Sequence, residues 1–92
     1  MRELFVATKE ETGTDGRPIT FDYYILIDQM QVNGGFACES YGIRITGRGQ
    51  DADSISIPNI TTSISRIDAL MELLTGHFVT PATAADVIAD WL

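Results

Sequence analysis

The stretch ITFDYYILIDQMQVNGGFACESYGIRIT, residues 19–46, decides the fold of this chain. Apolar residues alternate with polar ones on both sides of Asn33-Gly34-Gly35, and alternation around a glycine turn predicts a β-hairpin. A three-residue turn sets Ile27 opposite Tyr41, whereas a two-residue turn sets Asp28 opposite another acid. Because like charges repel across a strand pair, we predict the three-residue turn.

The apolar residues of this hairpin change faces partway along each strand. They occupy odd positions up to Ile27 and again from Tyr41, but even positions nearer the turn. The base of the hairpin should therefore face the domain core, while its end presents apolar side chains on the opposite face of the sheet. We call these residues the tip cluster: Met30, Val32, Phe36 and Cys38. Either another part of the chain covers this cluster, or it binds a second copy or a partner protein.

A further strand is predicted on the N-terminal side of the hairpin. Asp15-Gly16 favours a two-residue type I′ turn, because both of its positions need a positive φ. That turn sets Leu4 opposite Ile27. On the C-terminal side, Ile55 and Ile57 support a short fourth strand that ends at Pro58. The predicted strands cover about residues 2–11, 18–32, 36–47 and 54–58.

The C-terminal third of the chain has a helical period. Residues 61–63 offer N-cap hydroxyls and Gly76 offers a stop for a first helix, and Thr80-Pro81 is a strong start for a second. The predicted helices cover about residues 63–75 and 81–91. We therefore predict a single α+β domain over residues 1–92, an antiparallel meander of three to four strands with two C-terminal helices packed on one face.

Composition and charge restrict the function. The 92 residues are 45% hydrophobic, and 6 basic residues against 13 acidic ones leave a net charge of −7. This balance suits a protein partner with a basic surface and disfavours nucleic acid and anionic membranes. No apolar run approaches the roughly 20 residues of a membrane span, and the run at residues 4–7 is shorter than a signal-peptide core of about 7 to 15 residues. A cytoplasmic location is expected.

Few side chains of the sequence offer chemistry. With one cysteine and one histidine, neither an internal disulfide nor a Cys/His metal cage can form. No metal, cofactor or catalytic residue is predicted. His77 is interpreted as a helix C-terminal residue. Tyr24 should face Arg44 as a cross-strand cation–π pair. A second hypothesis is an enzyme or small-ligand sensor with a pocket between sheet and helices near Tyr41, Arg44 and His77.

Two acids near the C-terminus complete the candidate residues. Asp86 and Asp90 lie one turn apart on the last helix, at the end where the helix dipole disfavours negative charge. They are either a solvated face or a docking site for Arg or Lys of a partner. The leading hypothesis is therefore a noncatalytic protein-interaction module, expected to form a homodimer, that uses the tip cluster or these acids.

Three short motifs resemble a known family. They are Tyr41-Gly42-Ile43, Ile60-Thr61-Thr62, and Pro81 followed by Asp86-Val87-Ile88-Ala89-Asp90-Trp91-Leu92. The chain resembles, over about residues 20–92, the small uncharacterised proteins with a domain of unknown function from clostridia and related Gram-positive bacteria. Members usually end in DVIEDFL or similar, and here Ala89 and Trp91 replace the acid and the phenylalanine. The resemblance implies the architecture and no known activity, cofactor or catalytic residue.

Overall fold

The computed structural model describes residues 2–13, 15–31, 37–48 and 53–92. The elements are β1 (Arg2–Thr12), β2 (Pro18–Gln31), β3 (Ala37–Arg48), β4 (Ser54–Thr61), α1 (Ile64–Gly76) and α2 (Pro81–Trp91). The strands form one antiparallel sheet in the order β1-β2-β3-β4, so the predicted α+β meander is confirmed. The fourth strand forms and runs past its predicted end to Thr61.

The central hairpin has the predicted register. Ile27 lies opposite Tyr41, and Met30 lies opposite Cys38. The even positions near the turn therefore lie on the sheet face opposite to the buried odd positions, as the alternation predicts. The other two residues of the tip cluster, Val32 and Phe36, fall outside the described residues.

The predicted register between β1 and β2 is wrong, in part because the turn is longer than predicted. The Gly13 amide donates to the Arg17 carbonyl at 2.8 Å, and the Gly16 amide donates back to the Gly13 carbonyl at 3.0 Å. Gly16 takes a φ of 81°, which is the left-handed position of a three-residue hairpin turn. One extra turn residue moves the pairing along by one position.

A β-bulge in β1 moves the register once more. The pairing shifts between Phe5 and Ala7, which leaves Val6 as the inserted residue. As a result Leu4 lies opposite Ile25 instead of the predicted Ile27. The bulge also changes which residues of β1 lie on the side of the helices. Even-numbered residues such as Leu4 do so before the bulge, and odd-numbered residues such as Ala7 do so after it.

One face of the sheet, called the core face, packs against both helices. The opposite face is called the outer face. The buried cluster unites alternate residues of the central strands with the apolar stripes of α1 and α2. Its fully buried members include Tyr23, Ile43, Ile45, Ile67, Leu70 and Leu74. The Tyr23 hydroxyl donates to the Val79 carbonyl at 2.7 Å, and this buried bond ties the sheet to the connection between the helices.

The first helix ends later than Gly76 predicts. Gly76 is still helical, and the left-handed residue that ends the helix is Phe78, with a φ of 50°. The Val79 amide then donates to the Leu74 carbonyl at 2.9 Å, as in a Schellman motif. A left-handed phenylalanine costs about 1–3 kcal/mol, but the Phe78 ring packs edge-on against Phe21 at 5.7 Å. Packing of the partly buried ring against the core offsets this cost.

The register between β3 and β4 shifts beside Gly42. Residues 58–60 of β4 lie where an unbulged strand would place one residue. Asn59 takes a φ of 57°, a conformation that asparagine tolerates better than most residues. A Cβ atom on Gly42 would lie only 2.6 Å from the Pro58 Cα. The close backbone approach therefore requires glycine at position 42.

Candidate protein-interaction surface

The helices leave the edge strand β1 incompletely covered. Leu4, Phe5 and Val6 are 54%, 55% and 36% exposed, although they are three consecutive large apolar residues. Leu4 lies on the core face because it pairs directly with Ile25, which is buried. The core face therefore continues beyond the helical layer as an open apolar strip.

A groove with a volume of about 410 Å³ lies between β1 and α1. Its β1 side is lined by Leu4, Phe5 and Val6. Ile25 and Met71, both buried, also line it. Its apolar surface is contributed by residues that are far apart in the sequence and meet only through the fold. We call this feature the β1–α1 groove.

The helical side of the β1–α1 groove is acidic. Asp68 and Glu72 line it, both are exposed, and they lie one turn apart on α1. Like charges at this spacing destabilise a helix by a few tenths of a kcal/mol. Arg66, the one basic residue in the two helices, stacks on Trp91 of α2 with its guanidinium carbon 4.5 Å from the ring centroid. The negative charge beside the groove is thus not neutralised by this helical arginine.

The groove offers no activated nucleophile among its described lining residues. Thr75 also lines it, but its hydroxyl donates to the Met71 carbonyl at 2.8 Å. The other polar lining groups are the carboxylates of Asp68 and Glu72. The groove is therefore suited to binding a segment whose apolar side chains are buried against Leu4 and Val6 and whose cationic side chains lie near Asp68 and Glu72.

The residues predicted from the sequence as partner-binding lie elsewhere. Met30 is 40% exposed and Cys38, opposite it, is half-buried. Asp86 and Asp90 are both exposed on α2. None of these four residues lines the β1–α1 groove. Nothing in the described residues tests the two predicted surfaces, which stay predictions.

The residues of the second hypothesis do not converge. Tyr41 is buried on the core face, whereas Arg44 lies on the outer face because it follows the buried Ile43 along the strand. His77 is exposed just after α1. Two of the three side chains therefore lie on opposite faces of the sheet, and the three do not line a common pocket.

The outer face holds charged groups that pair with one another. Arg48 donates from Nε and Nη2 to the Asp22 carboxylate, both at 2.9 Å, and the Thr8 hydroxyl donates to the same carboxylate at 2.5 Å. These hydrogen bonds, first those from Arg48, hold the pKa of Asp22 below its usual value. The group spans β1, β2 and β3 and acts as a structural tie, since its charges are already satisfied.

The predicted cation–π pair of Tyr24 and Arg44 is replaced by other contacts. The two residues are cross-strand neighbours, as predicted. Arg44 forms an ion pair with Glu3, however, and the Tyr24 ring packs edge-on against Phe5 at 5.7 Å. The corrected β1 register explains this outcome, because it brings Glu3 and Phe5 beside these two residues.

The sequence reasoning missed the β1–α1 groove. The signal is a run of consecutive large apolar residues, Leu4, Phe5 and Val6, in a strand that is otherwise mostly polar. Such runs are unusual on an exposed edge. Asp68 and Glu72 have the same spacing of four residues as Asp86 and Asp90 of α2. Neither signal shows by itself that the two segments face each other.

The fold and the groove define a small α+β domain with an open apolar groove beside its edge strand. The chain belongs to the Family of unknown function (DUF6514), which matches it over residues 2–92. This match confirms the predicted domain of unknown function and extends it to include β1. Comparisons with curated proteins and with solved structures found no match. Within the described residues, neither helix has the length and apolar character needed to cross a membrane.

Proposed function

We propose that this protein is a noncatalytic interaction module that binds a basic, partly apolar segment of a partner protein in the β1–α1 groove. The observation that carries the proposal is the exposed pair Leu4 and Val6 next to the acidic pair Asp68 and Glu72. Removing the apolar strip from water supplies affinity, and the acids select a cationic partner.

Charge favours a different protein over a second copy as the occupant of the groove. Each copy carries a net charge of −7, and four acids against one base lie in its two helices. Two grooves brought face to face would place acids against acids, which opposes association. Homodimerisation through the tip cluster remains a separate proposal that does not involve this groove.

The sequence supports two further proposals, on the cellular location and on the host organism. A cytoplasmic location is supported by the presence of a single cysteine, since secreted domains of this size are commonly stabilised by several disulfides. The resemblance to proteins of clostridia and related Gram-positive bacteria supports a host in that group.

Charge reversal at the groove tests the proposal. The probe is a fluorescein-labelled peptide of about 18 residues, made of Leu, Lys and Ala with leucines on one helical face. Asp68→Lys combined with Glu72→Lys should weaken its binding by at least about tenfold, because two attractive charges become repulsive. Fluorescence anisotropy at physiological ionic strength measures the Kd, and thermal unfolding verifies that the variant is folded.

The chain provides a matched control on its other helix. Asp86→Lys combined with Asp90→Lys makes the same change of charge at the same spacing on α2. We expect it to change the Kd by less than about threefold, as for charges away from an interface that act through long-range potential. Equal losses of affinity in the two variants would show that net charge alone accounts for the binding. A larger loss in the α2 variant would locate the site at Asp86 and Asp90 and refute the groove.

A further inference from the structure

The structure points to an α-helix as the occupant of the β1–α1 groove: we infer that a partner's amphipathic helix lies on β1 beside α1, with Lys or Arg directed at Asp68 and Glu72. This inference rests on the proposed function and specifies the conformation of the bound segment. Such a helix would extend the helical layer over β1, whose Leu4 and Val6 the two helices leave exposed.

The composition of the groove favours a helix over a strand. The backbone of Met71 and Glu72 is already hydrogen-bonded within α1, and Leu4 pairs with Ile25 of β2, so a bound strand would find few backbone partners there. A strand lying there would bury backbone N–H and C=O groups without partners, and each such group costs about 1–3 kcal/mol. A helix satisfies its backbone hydrogen bonds internally, so it can enter an apolar groove at no such penalty.

The free edge of β1 is poorly suited to pairing with another strand. The bulge at Val6 interrupts the regular row of backbone donors and acceptors. The charged residues Glu3, Lys9 and Glu10 flank it on both sides. Bulges and charges are the devices by which natural edge strands avoid further pairing. A partner should therefore dock on the side chains of the core face and not on the edge.

The dimensions of the groove fit a short helical segment. Along α1 it extends from Asp68 to Thr75, which corresponds to roughly 10 Å or two turns at 1.5 Å per residue. An occupant parallel or antiparallel to α1 would fill this length with apolar residues at i, i+3 or i+4, and i+7. Two basic residues one turn apart would match the separation of Asp68 and Glu72, roughly 6 Å along the helix axis.

Three peptides of identical composition test the conformation. Each contains the same Leu, Lys and Ala residues over about 18 positions, ordered for an amphipathic helix, for an alternating strand, or at random. We expect the helical order to bind at least about tenfold more tightly than the other two. The advantage should disappear in the Asp68→Lys, Glu72→Lys variant. In the complex, ¹³Cα chemical shifts of the labelled peptide should show a helix.

The possible results separate this inference from the proposed function. Tighter binding of the alternating peptide, or equal binding of all three with loss on charge reversal at the groove, would overturn the helix and leave the groove as the site. Absence of binding by all three, or binding that the groove variant does not alter, would overturn the proposed function itself.

Discussion

Gly42→Ala is expected to destabilise the domain by about 3 kcal/mol, near the upper end of the usual effects of overpacking. The new methyl group would meet the Ile57 carbonyl and lie 2.6 Å from the Pro58 Cα. These are backbone atoms, which cannot rotate away as a flexible side chain would. Relief would require moving the bulge of β4, and with it the edge of the sheet. Urea unfolding followed by far-UV circular dichroism measures the loss.

Gly76→Ala provides a control with the opposite sign. A Cβ at Gly76 would meet nothing within 4 Å, and the residue is helical. Alanine there should stabilise the protein by about 0.5–1 kcal/mol, since glycine loses more backbone entropy in a helix. Equal stabilities of the Gly42→Ala variant and the wild type would show that β4 does not cross β3 as closely as described.

Tyr23→Phe is expected to destabilise the domain by about 2 kcal/mol at neutral pH. The substitution removes the hydroxyl that donates to the Val79 carbonyl at 2.7 Å. Tyr23 is fully buried and Val79 nearly so, so the carbonyl would lose its hydrogen-bond donor in a largely water-free site. Urea unfolding of the two proteins at pH 7 measures the difference. Tyr24→Phe, at a half-buried tyrosine of the same strand, should change stability by less than about 0.5 kcal/mol.

The same pair of proteins should differ in its response to alkali. Burial raises the pKa of Tyr23 above its ordinary value of 10.0. The folded state therefore holds this proton more tightly than the unfolded state, and stability present below pH 10 is lost as the pH rises through the raised pKa. The Tyr23→Phe variant lacks this loss, so its stability deficit should narrow above about pH 10. A deficit that is constant with pH would show that Tyr23 is not desolvated.

The central hairpin and the helical layer could be predicted because their signals are local. The alternation from Phe21 to Ile27 and the like-charge penalty of the two-residue turn together select one register, and that register is observed. The register of β1 could not be predicted in the same way. Asp15-Gly16 is compatible with turns of two or three residues, and the bulge at Val6 interrupts a strand whose apolar residues are consecutive. Each ambiguity displaced the pairing by one residue.

The β1–α1 groove depends on these tertiary details. Leu4 pairs with Ile25 only after both register shifts, and α1 lies beside it only once the sheet is formed. Sequence reasoning instead singled out the acids Asp86 and Asp90, which share their spacing with the acids of α1. A charge pattern alone cannot show which of two similar pairs lies next to exposed apolar surface.

The central claim is the location of the binding surface, and a ¹H–¹⁵N correlation titration with the helical Leu/Lys/Ala peptide tests it most directly. The predicted result is that the largest shift changes fall on the amides of residues 4–7 and 68–75. Changes concentrated on α2 around Asp86 and Asp90, or around Met30 in the tip cluster, with residues 4–7 and 68–75 unaffected, would contradict it.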